Sequence, residues 1–314
     1  MTDFLTPSIV GNPTVKSLVS KCMSMTPKPG RFKTDVNRLL VVRYDSDSIA
    51  TMVVKPSIFF ILQGFSHSEF ALNQKITPPQ SFLVIGPQLP MVARIKASKD
   101  NPLVVLVLHL DFQLLQALSV MISSNPKQDY YPGSWVTNGR MDVTMNQLLI
   151  NLLDCQAKTD TSFEQTPSEI LALYSYVLSQ PQGTILRKLS APPLLGLINS
   201  INWANDRYNE QMSVAELAKV ADMSLTSYHR HFKSVTTLSP LQYLKTVKLL
   251  EARRLMLFYG KTAAHAAQYV GYESPSQFNR EYKRFFTMPP HKEVSYTLYH
   301  NRPIYQPLSL THRF

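Results

Sequence analysis

Two ten-residue stretches, SLTSYHRHFK at residues 224–233 and SPSQFNREYK at residues 274–283, carry side chains suited to reversible recognition of a polyanion. The first offers Thr226, His229 and Arg230, and the second Ser276, Asn279 and Arg280, with Lys233 and Lys283 closing each stretch. Arginine's rigid fork suits two acceptors on one base edge, asparagine can bind adenine through two hydrogen bonds, and lysine serves as a point charge on a phosphate. Glycine-rich phosphate loops, nucleophile elbows and paired zinc-ligand motifs are not found in the chain. We therefore expect a binding protein with no cofactor and no catalytic residue.

The two stretches align serine on serine, Tyr228 on Phe278, Arg230 on Arg280, Phe232 on Tyr282 and Lys233 on Lys283. Upstream, Ala218 pairs with Ala267 and Met223 with Tyr272, with one extra residue before the second serine. Each copy has the local signals of helix, tight turn, helix. In the first, Ser213 and Glu216 form a capping box, Asp222-Met223 make the turn, and Ser224 caps the next helix. In the second, Gly271-Tyr272 make the turn, Ser274 caps, Pro275 takes the first helical position, and Gln277 completes a box. Tyr228 and Phe232, like Phe278 and Tyr282, lie one turn apart and face a core, so the polar residues between them project outward. Residues 241–257 contain no breaker and read as one continuous helix, a strut between the copies that carries Lys248, Glu251 and Arg254 at pairing distance. A polar, arginine-bearing helix after a tight turn is the geometry that enters a major groove, and two successive grooves lie about 34 Å apart. The competing reading of Arg230 and Arg280 is a solvated face or an ion pair with Asp222 or Glu281.

Residues 194–292 resemble the AraC-type (AraC/XylS) transcription regulators. The resemblance rests on LAKVADMSLTSYHRHFK, LSPLQYL, LLEARRLML and VGYESPSQFNREYKRFFTMPP. It implies double-stranded DNA as partner and places Thr226, His229 and Arg230, then Pro275, Ser276, Asn279 and Arg280, at base-reading positions. Lys233 and Lys283 are expected at phosphates. RNA polymerase as a further partner and a homodimer formed through the N-terminal half are also implied. Three positions depart from the family pattern. Asp222 stands where Gly is common, Met288-Pro289-Pro290 replaces Gly-x-Ser-Pro, and Pro275 brings little to donate.

The first half reads differently. Residues 50–54, 58–62, 81–85 and 103–110 are bursts of β-branched and aromatic residues separated by turns such as Lys55-Pro56-Ser57 and Gln63-Gly64, the pattern of a small barrel or sandwich. Helical spacing follows at 112–122, 141–155 and 167–178. KPSIFFILQG and SFLVIGPQLP followed by LVLHLD resemble the cupin-type arm of some AraC-type proteins. A barrel of this size can enclose a small-molecule effector, with Gln63, His67 and Glu69 as its polar contacts, or can be filled by its own side chains. His67 and His109 suggest metal, yet SHSE at residues 66–69 supplies only two candidate ligands where a cupin enzyme clusters several, so no metal site is expected. The alternative reading is a metal-dependent cupin-type enzyme fused to a DNA-targeting domain.

The fold class expected is α+β: a cupin-like β-barrel with trailing helices at 1–180, a linker at 181–193, an all-α reader with two helix-turn-helix units at 194–292, and a tail at 293–314. A formal net charge of +11 suits a polyanionic partner. MTDFLTPSIVGNP lacks a secretory pattern and no apolar run approaches the twenty residues of a membrane span, so a cytoplasmic protein with no membrane contact is expected. Cys22 and Cys155 have no paired spacing and read as small, half-buried apolar residues.

Overall fold

The computed structural model describes residues 12–70, 73–122, 135–154, 168–189 and 192–299. After helix α1 (Pro13–Ser24) come nine strands: β1 (Gly30–Lys33), β2 (Leu39–Tyr44), β3 (Ser48–Val54), β4 (Ser57–Gln63), β5 (Phe65–Phe70), β6 (Asn73–Thr77), β7 (Ser81–Ile85), β8 (Leu89–Lys96) and β9 (Leu103–His109). Helix α2 (Phe112–Ile122), strand β10 (Val136–Arg140), and helices α3 (Val143–Asp154) and α4 (Ser168–Ser179) complete this half.

The strands form two antiparallel sheets, β1-β2-β9-β4-β7-β10 and β3-β8-β5-β6. The expected barrel is thus an open, sandwich-like one. Its larger sheet is apolar on both faces, and strand periodicity sorts the residues. Leu40, Ile61, Leu83, Val105 and Val107 point toward the smaller sheet. Leu39, Val41, Phe60, Val104 and Leu106 point the other way, into a core shared with the helices. Covering on both sides explains why β9 reads LVVLVLH with every residue buried, whereas β5, FSHSEF, alternates. At one end of β9 the His109 ring nitrogen Nδ1 lies 2.8 Å from Ser57 Oγ, and burial, aided by Lys55, Arg31 and Arg38, lowers its pKa to about 4. Cys22 is fully buried among the apolar residues of α1, more deeply than expected, and burial pushes its thiol up to about 12. Cys155 lies outside the described residues.

The stretch expected as a linker folds instead. Pro181–Gly183 is a single 3-10 turn and α5 (Thr184–Leu189) follows, with Ile185 and Leu186 buried. A side chain at Gly183 would collide with the Val177 carbonyl oxygen, so this glycine serves close packing and not flexibility. The breakers are real, but an apolar pair just beyond them outweighs their effect.

The C-terminal half is helical: α6 (Pro192–Asp206), α7 (Val214–Val220), α8 (Leu225–Thr236), α9 (Pro240–Tyr259), α10 (Ala263–Tyr269), α11 (Pro275–Phe286) and α12 (Pro290–Tyr299). The helix α12 takes up residues assigned to the tail, and Glu293 on it binds Arg253 of α9 at 2.5 Å and accepts from the Tyr282 hydroxyl at 2.6 Å. The two halves touch. Helix α9 packs on β3 and β8, and Trp135 Nε1 donates to the Ser234 carbonyl at 3.0 Å. Among the described residues no helix is long and apolar enough to cross a membrane.

Candidate nucleic-acid interface

The first unit forms because its ends are chemically satisfied. Ser213 accepts from the Glu216 amide at 3.2 Å while the Glu216 carboxylate accepts from the Ser213 amide at 2.7 Å, a complete capping box that starts α7 and holds the Glu216 carboxyl below its usual range. The helix stops at Asp222, whose φ of 54° is left-handed. There the Met223 amide returns to the Ala218 carbonyl at 3.0 Å. Ser224 then caps α8 through the Ser227 amide at 3.3 Å.

The second unit repeats this geometry. Gly271 has φ 77°, the Tyr272 amide returns to Ala267 at 2.9 Å, and Ser274 caps α11 through the Gln277 amide at 3.3 Å. Gln277 does not complete the box. Its side-chain amide donates instead to the Glu281 carboxylate, one turn on, at 3.1 Å.

The inner faces match as well. Tyr228 and Phe232 sit 5.4 Å apart by ring centroid, as do Phe278 and Tyr282, and all four are buried. Such pairs fix the rotation of each helix about its axis. That rotation leaves Thr226, His229, Arg230 and Lys233 exposed on α8, and Pro275, Ser276, Asn279, Arg280 and Lys283 exposed on α11. Among the described residues none of the four cations on these faces has an ion-pair partner. The alternative partner for Arg280, Glu281, is engaged elsewhere. It binds Lys245 of α9 at 3.0 Å and accepts from Tyr272 at 2.8 Å. Burial opposes its ionisation, but hydrogen bonds from Gln277, Lys245 and Tyr272 prevail and hold the carboxyl below the ordinary range.

The repeat runs further than the sequence comparison found. Both exposed helices end on a threonine in the left-handed region, Thr237 at φ 64° and Thr287 at φ 62°. Each is followed by a helix opening on proline, Pro240 or Pro290. The aligned TLSP and TMPP at residues 237–240 and 287–290 carried this signal, so the missing Gly-x-Ser-Pro pattern leaves the corner intact. The strut α9 is capped by a full Ser239–Gln242 box. Glu251 and Arg254, expected at a spacing that supports pairing, do pair within it at 2.5 and 2.7 Å, and both are buried.

Gln63, His67 and Glu69, expected as effector contacts, do not share a cavity in the first half. A cavity between the two sheets is lined by Ser66 and Ser68 of β5, and not by Gln63, His67 or Glu69. Strand alternation turns His67 and Glu69 to the opposite face, where Glu69 meets Arg94 at 3.2 Å. Among the described residues no three histidine, cysteine, aspartate or glutamate side chains gather as metal ligands would.

A β-sandwich joined to two helix-turn-helix units on a shared strut defines a two-part protein with paired, outward-facing recognition helices. The model of the AraC-type transcriptional regulator N-terminus matches residues 35–184 and that of a helix-turn-helix domain matches residues 217–293, and the chain belongs to the AraC-type family. The HTH-type transcriptional activator RhaS of Enterobacter sp. (strain 638) is 26% identical over 186 residues, which is 57% of this chain and 63% of that protein. RhaS of Yersinia pestis bv. Antiqua (strain Angola) is 27% identical over 168 residues, 51% of this chain and 58% of that protein. The chain thus spans less than two thirds of the length of the curated relatives it matches. Among solved structures, an apo form of a ToxT point variant from Vibrio cholerae strain SCE256 superposes with a TM-score of 0.54 at 11% identity, covering 84% of this chain and 99% of ToxT. Unsaturated fatty acid bound wild-type ToxT from the same strain gives 0.54 at 13% identity, covering 84% and 97%. These two likenesses concern the fold.

Proposed function

We propose that this protein is a sequence-specific, double-stranded DNA-binding transcription regulator that reads two successive major grooves with α8 and α11. The observation that carries the reading is the duplicated outer face: small and hydrogen-bonding polar side chains around an arginine that has no ion pair among the described residues, each face held in place by two aromatic residues one turn apart. Arg230 and Arg280, with Thr226, His229, Ser276 and Asn279, read base edges, Pro275 contributes only shape, and Lys233 and Lys283 meet phosphates. The strut supports the spacing. At 20 residues α9 is about 30 Å long, close to the about 34 Å repeat of B-DNA. The reader is taken as residues 194–292 and the regulatory half as 1–180, with RNA polymerase and a second copy of the chain as further partners by family.

The N-terminal sandwich serves as the site of a small effector. The cavity between its sheets supports this, and ToxT, which shares the fold, is known with an unsaturated fatty acid bound. Family and site chemistry point to regulation and not to an enzyme.

Selection of the full-length protein on a randomised duplex pool at two salt concentrations tests the proposal. Enrichment of an asymmetric site with two short boxes about one helical turn apart supports it. Salt-sensitive binding with no enriched sequence would leave an unspecific basic surface and refute it.

A further inference from the structure

Strand β1 sends one side chain, Arg31, into the cavity between the sheets, and among the described residues it is the one charged residue lining that space. The rest of the lining is apolar apart from the hydroxyls of Tyr44, Ser66, Ser68 and Thr77. The guanidinium is poorly satisfied there. Its Nη2 lies 3.3 Å from the Met52 sulfur, a weak acceptor, while Nε and Nη1 are buried with no hydrogen-bond partner. Among the described residues no carboxylate pairs with Arg31. Its neighbours on the strand give no relief, since Gly30 has no side chain and Lys33 is exposed on the same edge.

A lysine in this position could lose its proton, but arginine cannot in a protein, so the charge persists and needs a counter-ion. The surroundings limit which anion fits. A phosphate or sulfate would leave several oxygens unpaired against leucine, valine and methionine, whereas a carboxylate accepts from one guanidinium through two oxygens and places its tail on apolar walls. Size narrows the class further. The cavity measures about 70 Å³, and one water occupies about 10–15 Å³ on this scale, so it holds about five to seven non-hydrogen atoms.

We infer that the cavity between the sheets is a binding site for a monocarboxylate with a short apolar tail, its carboxylate paired with Arg31. This rests on the reading of the sandwich as the effector-binding half and names the class of effector. Met52, which touches Arg31, lies on β3, and helix α9 packs against β3 and β8. A ligand that draws Arg31 from Met52 therefore acts on the strands that hold the strut.

The test measures thermal melting of the full-length protein, without DNA, in millimolar pentanoate or its neutral analogue pentanamide. Dodecanoate serves as a long-tailed third probe. Arg31→Met keeps the volume and removes the charge, and the variant should melt no lower than wild type, because an unpaired buried charge is lost. The inference predicts that pentanoate raises the melting temperature of the wild type, that pentanamide leaves it unchanged, and that Arg31→Met weakens the pentanoate response at least tenfold in midpoint concentration. Equal stabilisation by pentanamide, or an unchanged pentanoate response in Arg31→Met, would overturn the carboxylate assignment while leaving an effector site standing. A response to dodecanoate stronger than to pentanoate would overturn the short tail. No response to any probe would overturn the inference, while the effector reading would fall only if ligands of other classes also failed to shift the melting temperature. DNA selection, performed separately, is unaffected by these outcomes.

Discussion

The hydroxyl of Tyr243, on the first turn of the strut, donates to the backbone carbonyl of Gln88 at 3.0 Å and so joins the helical half to the loop that leads into β8. The same oxygen accepts from Asn205 Nδ2 at 2.8 Å. Tyr243 is fully buried, and burial raises its phenol above the ordinary range. One side chain thus ties α6, α9 and the loop before β8 together.

Tyr243→Phe keeps the ring and its edge contact with Phe232 but leaves the Gln88 carbonyl unpaired. We expect a loss of about 1–2 kcal/mol in denaturant unfolding, with faster hydrogen exchange concentrated at the contact between α9 and β8. Uniform exchange across both halves would show that the contact does not couple them.

The first turn carries measurable strain. Asp222 holds φ 54°, a conformation that glycine adopts without penalty. Asp222→Gly relieves the left-handed penalty but adds unfolded-chain entropy, so the net gain should be no more than about 1 kcal/mol, whereas Asp222→Val should destabilise by about 1–2 kcal/mol, read from urea midpoints. Since residue 222 lies outside the exposed recognition faces, both variants should keep the wild-type DNA preference.

Acid stability should depend on His109. Its folded pKa of about 4 lies below the ordinary 6.5, so the unfolded chain binds more protons between these values. Stability from this residue is complete above about pH 6.5 and is lost as pH falls toward 4, by on the order of 2–3 kcal/mol. Unfolding of the wild type and of His109→Gln across that window checks this. The wild-type slope should flatten in the variant, and equal slopes would exclude His109 as the source.

Lys283→Ala should weaken binding to all DNA sequences alike and reduce the slope of log affinity against log salt by about 1. An unchanged slope would remove Lys283 from the phosphate contacts.

Much of the reading half was legible because its signals are local. Capping serines, a left-handed turn residue and aromatics one turn apart act within a few residues, and each appears where the sequence places it. The sandwich was harder. Its longest helices and greasiest strands were visible, but β5 and β6 mix polar and apolar residues, and which face of β5 looks inward depends on the partner sheet. Sequence alone therefore points to the more polar His67 and Glu69 of that strand, and gives no sign that Ser66 and Ser68 face the other sheet. Arg31 gave no signal at all, since a lone arginine in GRFK reads as solvated until the second sheet covers it. The fold of 181–189 is hidden for a related reason: Ile185 and Leu186 are buried by the packing of α5 against α2, far away in sequence, as well as against its neighbours α4 and α6.

The central claim, that α8 and α11 each read bases in their own groove, is tested most directly by the selected duplex with every base pair substituted in turn. Affinities of the full-length wild type, Arg230→Ala and Arg280→Ala are compared. The account predicts that each variant loses about 1–3 kcal/mol on the intact site and becomes indifferent to substitution in one box only, a different box for each arginine. Equal losses on specific and random DNA, with both boxes still discriminated, would contradict it.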